Sequence, residues 1–405
     1  MNKKITIGLA IALAAVAAAL AVILTYNYSL DKFNDMLRSV SEKEENYTRI
    51  SELDTFVRNN YINAFDEKTL LDSILNGYIA GIGDFYAEYY PADATAAAAV
   101  NETGFVTGLG ITYEKDVSGY ILVTSVIAGS DAEKVGLRTG DIISAVNNTD
   151  VLSFSNGYDE AVALLTGTEG TKVKLNIKRI ASDGIAEYSD AEPAITKTEI
   201  FTVSFEMMDN IGYIKIESFN DRTYVQLKNA VNQLIEEGAE SFIFDMRDNR
   251  GGSMANLQNT LDVLLGAGDI VTADYKNRQE VIVKTTEADI IKMPFTILIN
   301  ENTVGTSELF ALALRDNAKG QIVGVFSAGQ GLLQETHKLG SGGSVKLSVA
   351  VLKTKNSGNF DKIGVKPDFE IKLPEDITFA DISPAQRVIF DTQLIKALEV
   401  AGTPA

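Results

Sequence analysis

The chain has no cysteine and a single histidine in 405 residues. The first absence excludes disulfides, thiolate metal sites, cysteine nucleophiles and lipid attachment through a cysteine. The second means that a Ser-His-Asp triad must use His337 or not exist. His337 lies in Gln334-Glu335-Thr336-His337-Lys338, which reads as a strand. A basic surplus is missing too, since the formal charge is -19. Phosphate backbones need a basic face, so nucleic acid is not an expected partner. The acidic charge is spread along the chain and suits a solvated surface. Neither a metal nor a cofactor is expected.

What the chain does have begins at its N-terminus. Lys3 and Lys4 precede an uncharged run from Ile5 to Leu24. Its twenty residues at about 1.5 Å each span roughly 30 Å, the thickness of a bilayer core. The lysines stay inside, which predicts a single-pass anchor over residues 1–26, a cytoplasmic N-terminus and an extracytoplasmic bulk. A cleaved signal peptide, which would release the protein, is the alternative. Its apolar core is usually shorter, about 7–15 residues, and Leu24-Thr25-Tyr26-Asn27-Tyr28 offers no small-x-small cleavage site.

Leu30, Phe33, Leu37 and Val40 recur at helical spacing in an otherwise polar stretch. A stalk or a dimerising helix fits, so a homodimer is one expected assembly. An amphipathic helix follows, with Leu70, Leu71, Ile74, Leu75 and Tyr78, and ends at Gly81-Ile82-Gly83-Asp84-Phe85-Tyr86. The Ala-rich tract from Ala94 to Val100 also reads as helix.

Gly108-Leu109-Gly110-Ile111 opens a strand. Tyr120 to Val126, then Gly136-Leu137, Thr139-Gly140-Asp141-Ile142-Ile143, and a strand from Thr171 to Lys178 follow in order. This order resembles a PDZ domain. The resemblance implies that Gly108, Leu109, Gly110 and Ile111 offer backbone N–H groups to a peptide's terminal carboxylate, while the peptide adds as a strand. Glycines let such an anion-binding nest curl without a steric penalty. Residues 182–200 read as a hairpin or linker. Strands at Ile211–Ile216, Ser241–Arg247 and Phe295–Asn300 then alternate with helical segments such as Tyr224–Ile235, which argues an α/β layer.

Three segments of that layer carry chemistry. Asp245-Met246-Arg247-Asp248-Asn249-Arg250-Gly251-Gly252 comes first, Asn300-Glu301-Asn302-Thr303-Val304-Gly305-Thr306-Ser307-Glu308 second, and Gly329-Gln330-Gly331-Leu332-Leu333-Gln334 third. They resemble the carboxyl-terminal processing peptidases, or tail-specific proteases. That family's patterns are Asp-Leu-Arg-x-Asn-x-Gly-Gly, Asn-Glu-x-Ser-Ala-Ser-Ala-Ser-Glu and Gly-Lys-Gly-x-x-Gln. Gly364-Val365-Lys366-Pro367-Asp368 resembles a further family segment. The resemblance implies part of an oxyanion hole at Gly251 and Gly252 and an accessory glutamine at Gln334. It also places the nucleophilic serine at Gly305 and the general-base lysine at Gln330. A serine hydroxyl needs a base to attack, and neither group is present. Ser307, Thr306, Ser327, Lys319 and Lys338 are the nearby hydroxyls and amines. Ser307 and Thr306 are expected to face away from the nucleophile position.

The expected organisation is α/β and multidomain. It comprises an N-terminal transmembrane helix or signal (1–26), a helical stalk and segment (27–103), a PDZ domain (104–181) and a peptidase-like α/β core (182–405). The expected function is capture of C-terminal tails or unfolded segments of extracytoplasmic proteins, without cleavage. A serine-type endopeptidase with a substitute nucleophile is the alternative.

Overall fold

The computed structural model describes residues 25, 26, 28, 47–92, 103–181, 184–286, 293–340, 342–375, 377–379, 382 and 386–402. The expected anchor before residue 25, the stalk at residues 29–46 and the Ala-rich tract lie outside the described residues. Among those described, no helix is long and apolar enough to cross a membrane.

The chain divides into two compact units, Met1–Ile74 and Leu75–Ala405. In the first, residues 47–60 are helical, and Arg58 pairs with Asp54 at 2.8 Å and Glu67 at 2.6 Å. Helix α1 (Glu67–Gly81) is the expected amphipathic helix, yet only its Ile79 is buried.

The second unit opens with strand β1 (Glu88–Tyr90), then β2 (Phe105–Gly108), β3 (Ile111–Lys115), β4 (Ile121–Val126), α2 (Asp131–Lys134), β5 (Ile142–Val146), β6 (Thr149–Asp150), α3 (Tyr158–Ala163), β7 (Leu175–Ile180), β8 (Ala186–Ala191) and β9 (Thr196–Glu199). Strands β3-β4-β5-β7-β8 form an antiparallel sheet with β3 at its edge, β6 pairs β5, and β2 pairs β9. Leu109, Ile121, Val123, Ile143, Leu165 and Leu175 fill the core beneath. The sheet continues past residue 181, because β8 pairs β7 from Ile180↔Ala186 to Leu175↔Ala191. The stretch read as hairpin or linker thus supplies a hairpin arm, β8, and the partner of β2.

The core follows: β10 (Val203–Met208), β11 (Ile211–Ile216), α4 (Thr223–Glu236), β12 (Ser241–Asp245), α5 (Met254–Asp262), β13 (Gly268–Tyr275), β14 (Gln279–Thr285), β15 (Phe295–Ile299), α6 (Thr306–Ala318), β16 (Gln321–Gly324), β17 (Leu332–Lys338), β18 (Ser344–Thr354), β19 (Phe369–Glu370), α7 (Arg387–Phe390) and α8 (Thr392–Ala401). The sheet β10-β11-β12-β15-β16-β19 is parallel except for its antiparallel edge strand β10. A parallel sheet is covered on both faces, so its strands read as continuous apolar runs; every residue of β11, β12 and β15 is buried. Phe242 and Phe244 point to one core, with Phe310 and Leu309 of α6. Ile243 points to the other, with Leu394 and Ala397 of α8.

A buried ion cluster locks α8 to the sheet. Arg247 bridges Asp245 at 2.6 Å and Asp391 at 2.8 Å, with all three side chains at 0% exposure. Burial alone would push the Asp245 carboxyl up, but the charges of Arg247 and Lys215 hold it well below the usual carboxylate range.

Candidate functional site

Three chain segments meet where α6 begins. Residues 246–253 run from β12 to α5, residues 300–305 run from β15 to α6, and residues 325–331 connect β16 to β17. All three expected motifs fall on these connections, at or beyond the C-terminal ends of the parallel strands, where open α/β sheets place their sites.

Glu308 holds the second and third segments together. It sits in the first turn of α6 with no solvent exposure. Its carboxylate accepts from the backbone N–H of Gly305 (2.8 Å), Gly329 (2.7 Å) and Gln330 (2.8 Å) and from the Ser327 hydroxyl (2.5 Å). Burial pushes this carboxyl above its usual range, and the four hydrogen bonds oppose that by favouring the charged form. Ser327 also accepts the Val365 N–H at 2.6 Å, which ties in the segment that contains Gly364. The motif matched Glu308 as a letter; its role as the clamp was not legible, because its partners lie up to 22 residues away.

Gly305 and Gln330 stand face to face. A β-carbon placed on Gly305 would lie 3.4 Å from Gln330 Oε1. The Gln330 Nε2 donates to Gln334 Oε1 at 2.6 Å, and Gln334 Nε2 donates to the Leu332 carbonyl at 2.8 Å. Three of the sequence-derived positions therefore converge. Gly305 has φ +64° and ψ -114°, a backbone that any side chain would strain.

The glycine turn differs from expectation. Gly251 N–H donates to Asn249 Oδ1 at 2.8 Å, so it is committed inside the turn. Gly252 N–H donates to the Thr306 hydroxyl at 2.8 Å. The Thr306 side chain, expected to face away from the nucleophile position, turns onto the glycine turn, where Oγ1 also donates to the Gly252 carbonyl at 3.4 Å. The peptidase pattern has alanine at this position, which cannot make either bond. Sequence reasoning missed the consequence of this departure, though the Ala-to-Thr difference was its visible signal. The Thr306 N–H, first in the helix, has no acceptor among the described residues, as expected of an N-terminal helix donor.

The substitute groups are engaged or distant. Ser307 is buried and its hydroxyl donates to Asn249 Oδ1 at 2.6 Å. Lys319 caps the far end of α6, and Lys338 ends β17. His337 is exposed on β17, the strand expected there. No group of three or more His, Cys, Asp or Glu that could hold a metal occurs among the described residues.

The second expected site lies on the β3 sheet. Gly108 closes β2 and Ile111 opens β3, so Leu109 and Gly110 form the loop between strands rather than opening one. Gly110 has φ +83°, and a β-carbon there would lie 2.2 Å from Ser130 Cβ. The loop's carbonyls are engaged by Ala132 N–H (3.2 Å) and Ile127 N–H (2.8 Å). Its Leu109 and Gly110 N–H groups have no acceptor among the described residues.

Residues 210–371 match the model of peptidase family S41, and residues 122–179 match a PDZ domain model. The chain is 31% identical over 366 residues to the carboxy-terminal processing protease CtpA of Bacillus subtilis, covering 89% of this chain and 76% of that protein. It is 30% identical over 309 residues to a carboxyl-terminal-processing protease of Synechocystis, covering 74% and 70%. A solved structure, the photosystem II D1 C-terminal processing protease, is 25% identical, with 80% of this chain and 87% of that one covered and a TM-score of 0.47. A PDZ domain and an S41 core in one chain, with this identity over most of its length, place it among the carboxy-terminal processing proteases of peptidase family S41.

Proposed function

We propose that this family member binds protein C-terminal tails and does not cut them. The observation that carries the reading is the facing pair Gly305 and Gln330, 3.4 Å apart when a β-carbon is added to the glycine. Acyl transfer needs a nucleophile, a base for its proton and donors for the oxyanion. A glycine offers no nucleophile and an amide offers no base. Of the two glycine N–H groups, one is held by Asn249 and the other by Thr306.

The rest of the frame suits binding. The loop at Leu109 and Gly110 presents two N–H groups suited to a terminal carboxylate. Strand β3 is a sheet edge, to which a tail adds as a further strand. In this reading residues 1–26 anchor the protein and the bulk lies outside the cytoplasm, where tails or unfolded segments of neighbouring proteins are its ligands. It would act as an adaptor, a decoy or a regulator of an active relative. The alternative, cleavage with a substitute hydroxyl, lacks support, since Ser307 and Thr306 are both held in hydrogen bonds.

The test is to incubate the full chain with an unfolded protein ending in an apolar residue. The expected result is co-elution with the ligand intact. Shortened ligand that disappears when Thr306 or Ser307 is replaced by alanine would overturn the reading.

A further inference from the structure

The β3 edge carries a chemical asymmetry that selects among tails. Helix α3 flanks it, and two contacts fix their relative direction. A β-carbon on Gly108, just before β3, would lie 3.4 Å from the Leu165 carbonyl, just after α3. At the other end, Lys115 Nζ of β3 lies 5.5 Å from the ring centroid of Tyr158, the first residue of α3. The two elements are therefore antiparallel. A tail pairing antiparallel to β3, its carboxylate at Leu109 and Gly110, runs alongside α3.

Side chains alternate across a strand. On β3, Ile111 and Tyr113 are half-buried while Thr112 and Glu114 are exposed. Ile111, Tyr113, Tyr158 and Val162 all pack against the core of this sheet. The closed end, next to the loop, is therefore apolar and suits an apolar last residue. The open end carries the Tyr113 and Tyr158 hydroxyls and the Lys115 ammonium. None of these three has a hydrogen-bond or ion-pair partner among the described residues. The Lys115 ammonium lies over the Tyr158 ring, which brings it beside the two hydroxyls. Acidic neighbours do exist: Glu114 and Asp159 lie close enough to act on Tyr158 through charge. Both are exposed, and Glu114 alternates to the other face of β3.

Beyond the apolar last residue that the tail-binding reading already assumes, we infer that the groove prefers a carboxylate side chain two or four residues before it, held by the Tyr113 and Tyr158 hydroxyls and Lys115. This rests on the tail-binding reading above. Residues spaced by two share a face, and the distance from Ile111 to Lys115 is four residues, or roughly 13 Å at about 3.3 Å each.

Fluorescence anisotropy with the full chain tests it. The probes are ten-residue peptides ending in Val, with Asp or Lys two positions before the end, and a second pair with the change four positions before it. In at least one pair the Asp peptide is expected to bind about fivefold tighter, the size of an exposed charge preference counted from both signs. Lys115→Glu should erase or reverse the preference, and 1 M salt should shrink it. Equal binding within both pairs, or tighter binding of Lys, overturns the inference and leaves tail binding standing. No binding of any peptide overturns both.

Discussion

Two loops of this protein are built for backbone N–H donation, and they are in opposite states. At Leu109 and Gly110 the N–H groups have no acceptor among the described residues, while the carbonyls are tied down by Ala132 and Ile127. At Gly251 and Gly252 both N–H groups are taken, by Asn249 and by the Thr306 hydroxyl. Both loops depend on glycine for close approach. The difference is one of neighbours: a side chain that reaches into the loop closes it to a ligand. A fold conserves a loop's path more readily than its vacancy, which is why function is argued from the site and not from the fold.

The sharpest way to separate the two loops is to break each in turn. Gly252→Ala would put a β-carbon 2.0 Å from the Phe219 carbonyl oxygen. Overpacking against backbone is expected to destabilise the core by about 3 kcal/mol. Urea unfolding would read this, and tail affinity under native conditions should stay within about twofold, a change of about 0.4 kcal/mol. Gly110→Val is the converse. Positive φ and the Ser130 contact at 2.2 Å displace the loop, with tail affinity expected to fall on the order of 100-fold, or about 2.7 kcal/mol. The Gly305–Gln330 approach should persist in a crystal structure of that variant.

Glu308→Gln probes the clamp. One carboxamide oxygen cannot serve four donors, and a buried donor left without an acceptor costs about 2 kcal/mol. The pH dependence has a definite sign. Burial raises the Glu308 carboxyl in the folded chain, so its contribution to stability is fullest below an ordinary carboxyl pKa of about 4.3. It is lost as pH rises through the raised value. Glu308→Gln removes that slope, and urea unfolding across the acid range would show the flattening.

Smaller changes test the centre. Gly305→Ser forces a side chain onto φ +64° and should cost about 1–2 kcal/mol. Read in reverse, a glycine relieves strain that a nucleophile here would have to bear. Thr306→Ala should change stability by less than about 1 kcal/mol but free the Gly252 N–H. Faster hydrogen exchange at that amide, with Gly251 unchanged, is the expected signature.

The degree to which the sequence revealed these features follows from how local they are. The parallel core was readable because Phe242-Ile243-Phe244 is an apolar run without polar alternation, buried on both faces. The positions of Gly305, Gln330 and Gln334 were readable because each sits in a short motif with fixed spacing. The Glu308 clamp and the Arg247–Asp391 bridge were not. Their partners are up to 22 and 144 residues distant, and only the folded chain brings them together. Thr306 was legible only in part. Helical geometry predicted that it would face away from the nucleophile position, and that much is compatible with the fold. Its partner, the Gly252 N–H, lies 54 residues away in the chain, so no local pattern names it.

In the proposed reading, three residues, Gly305, Gln330 and Thr306, keep this chain from cutting. The most direct measurement compares cleavage of an unfolded protein with an apolar tail by three full-length forms. These are the native chain, Gly305→Ser/Gln330→Lys, and the same pair with Thr306→Ala. The account predicts no cleavage by the native chain and measurable cleavage by the triple variant. The double variant should be slower than the triple by about 100-fold, the scale of one oxyanion donor. Cleavage by the native chain would contradict it.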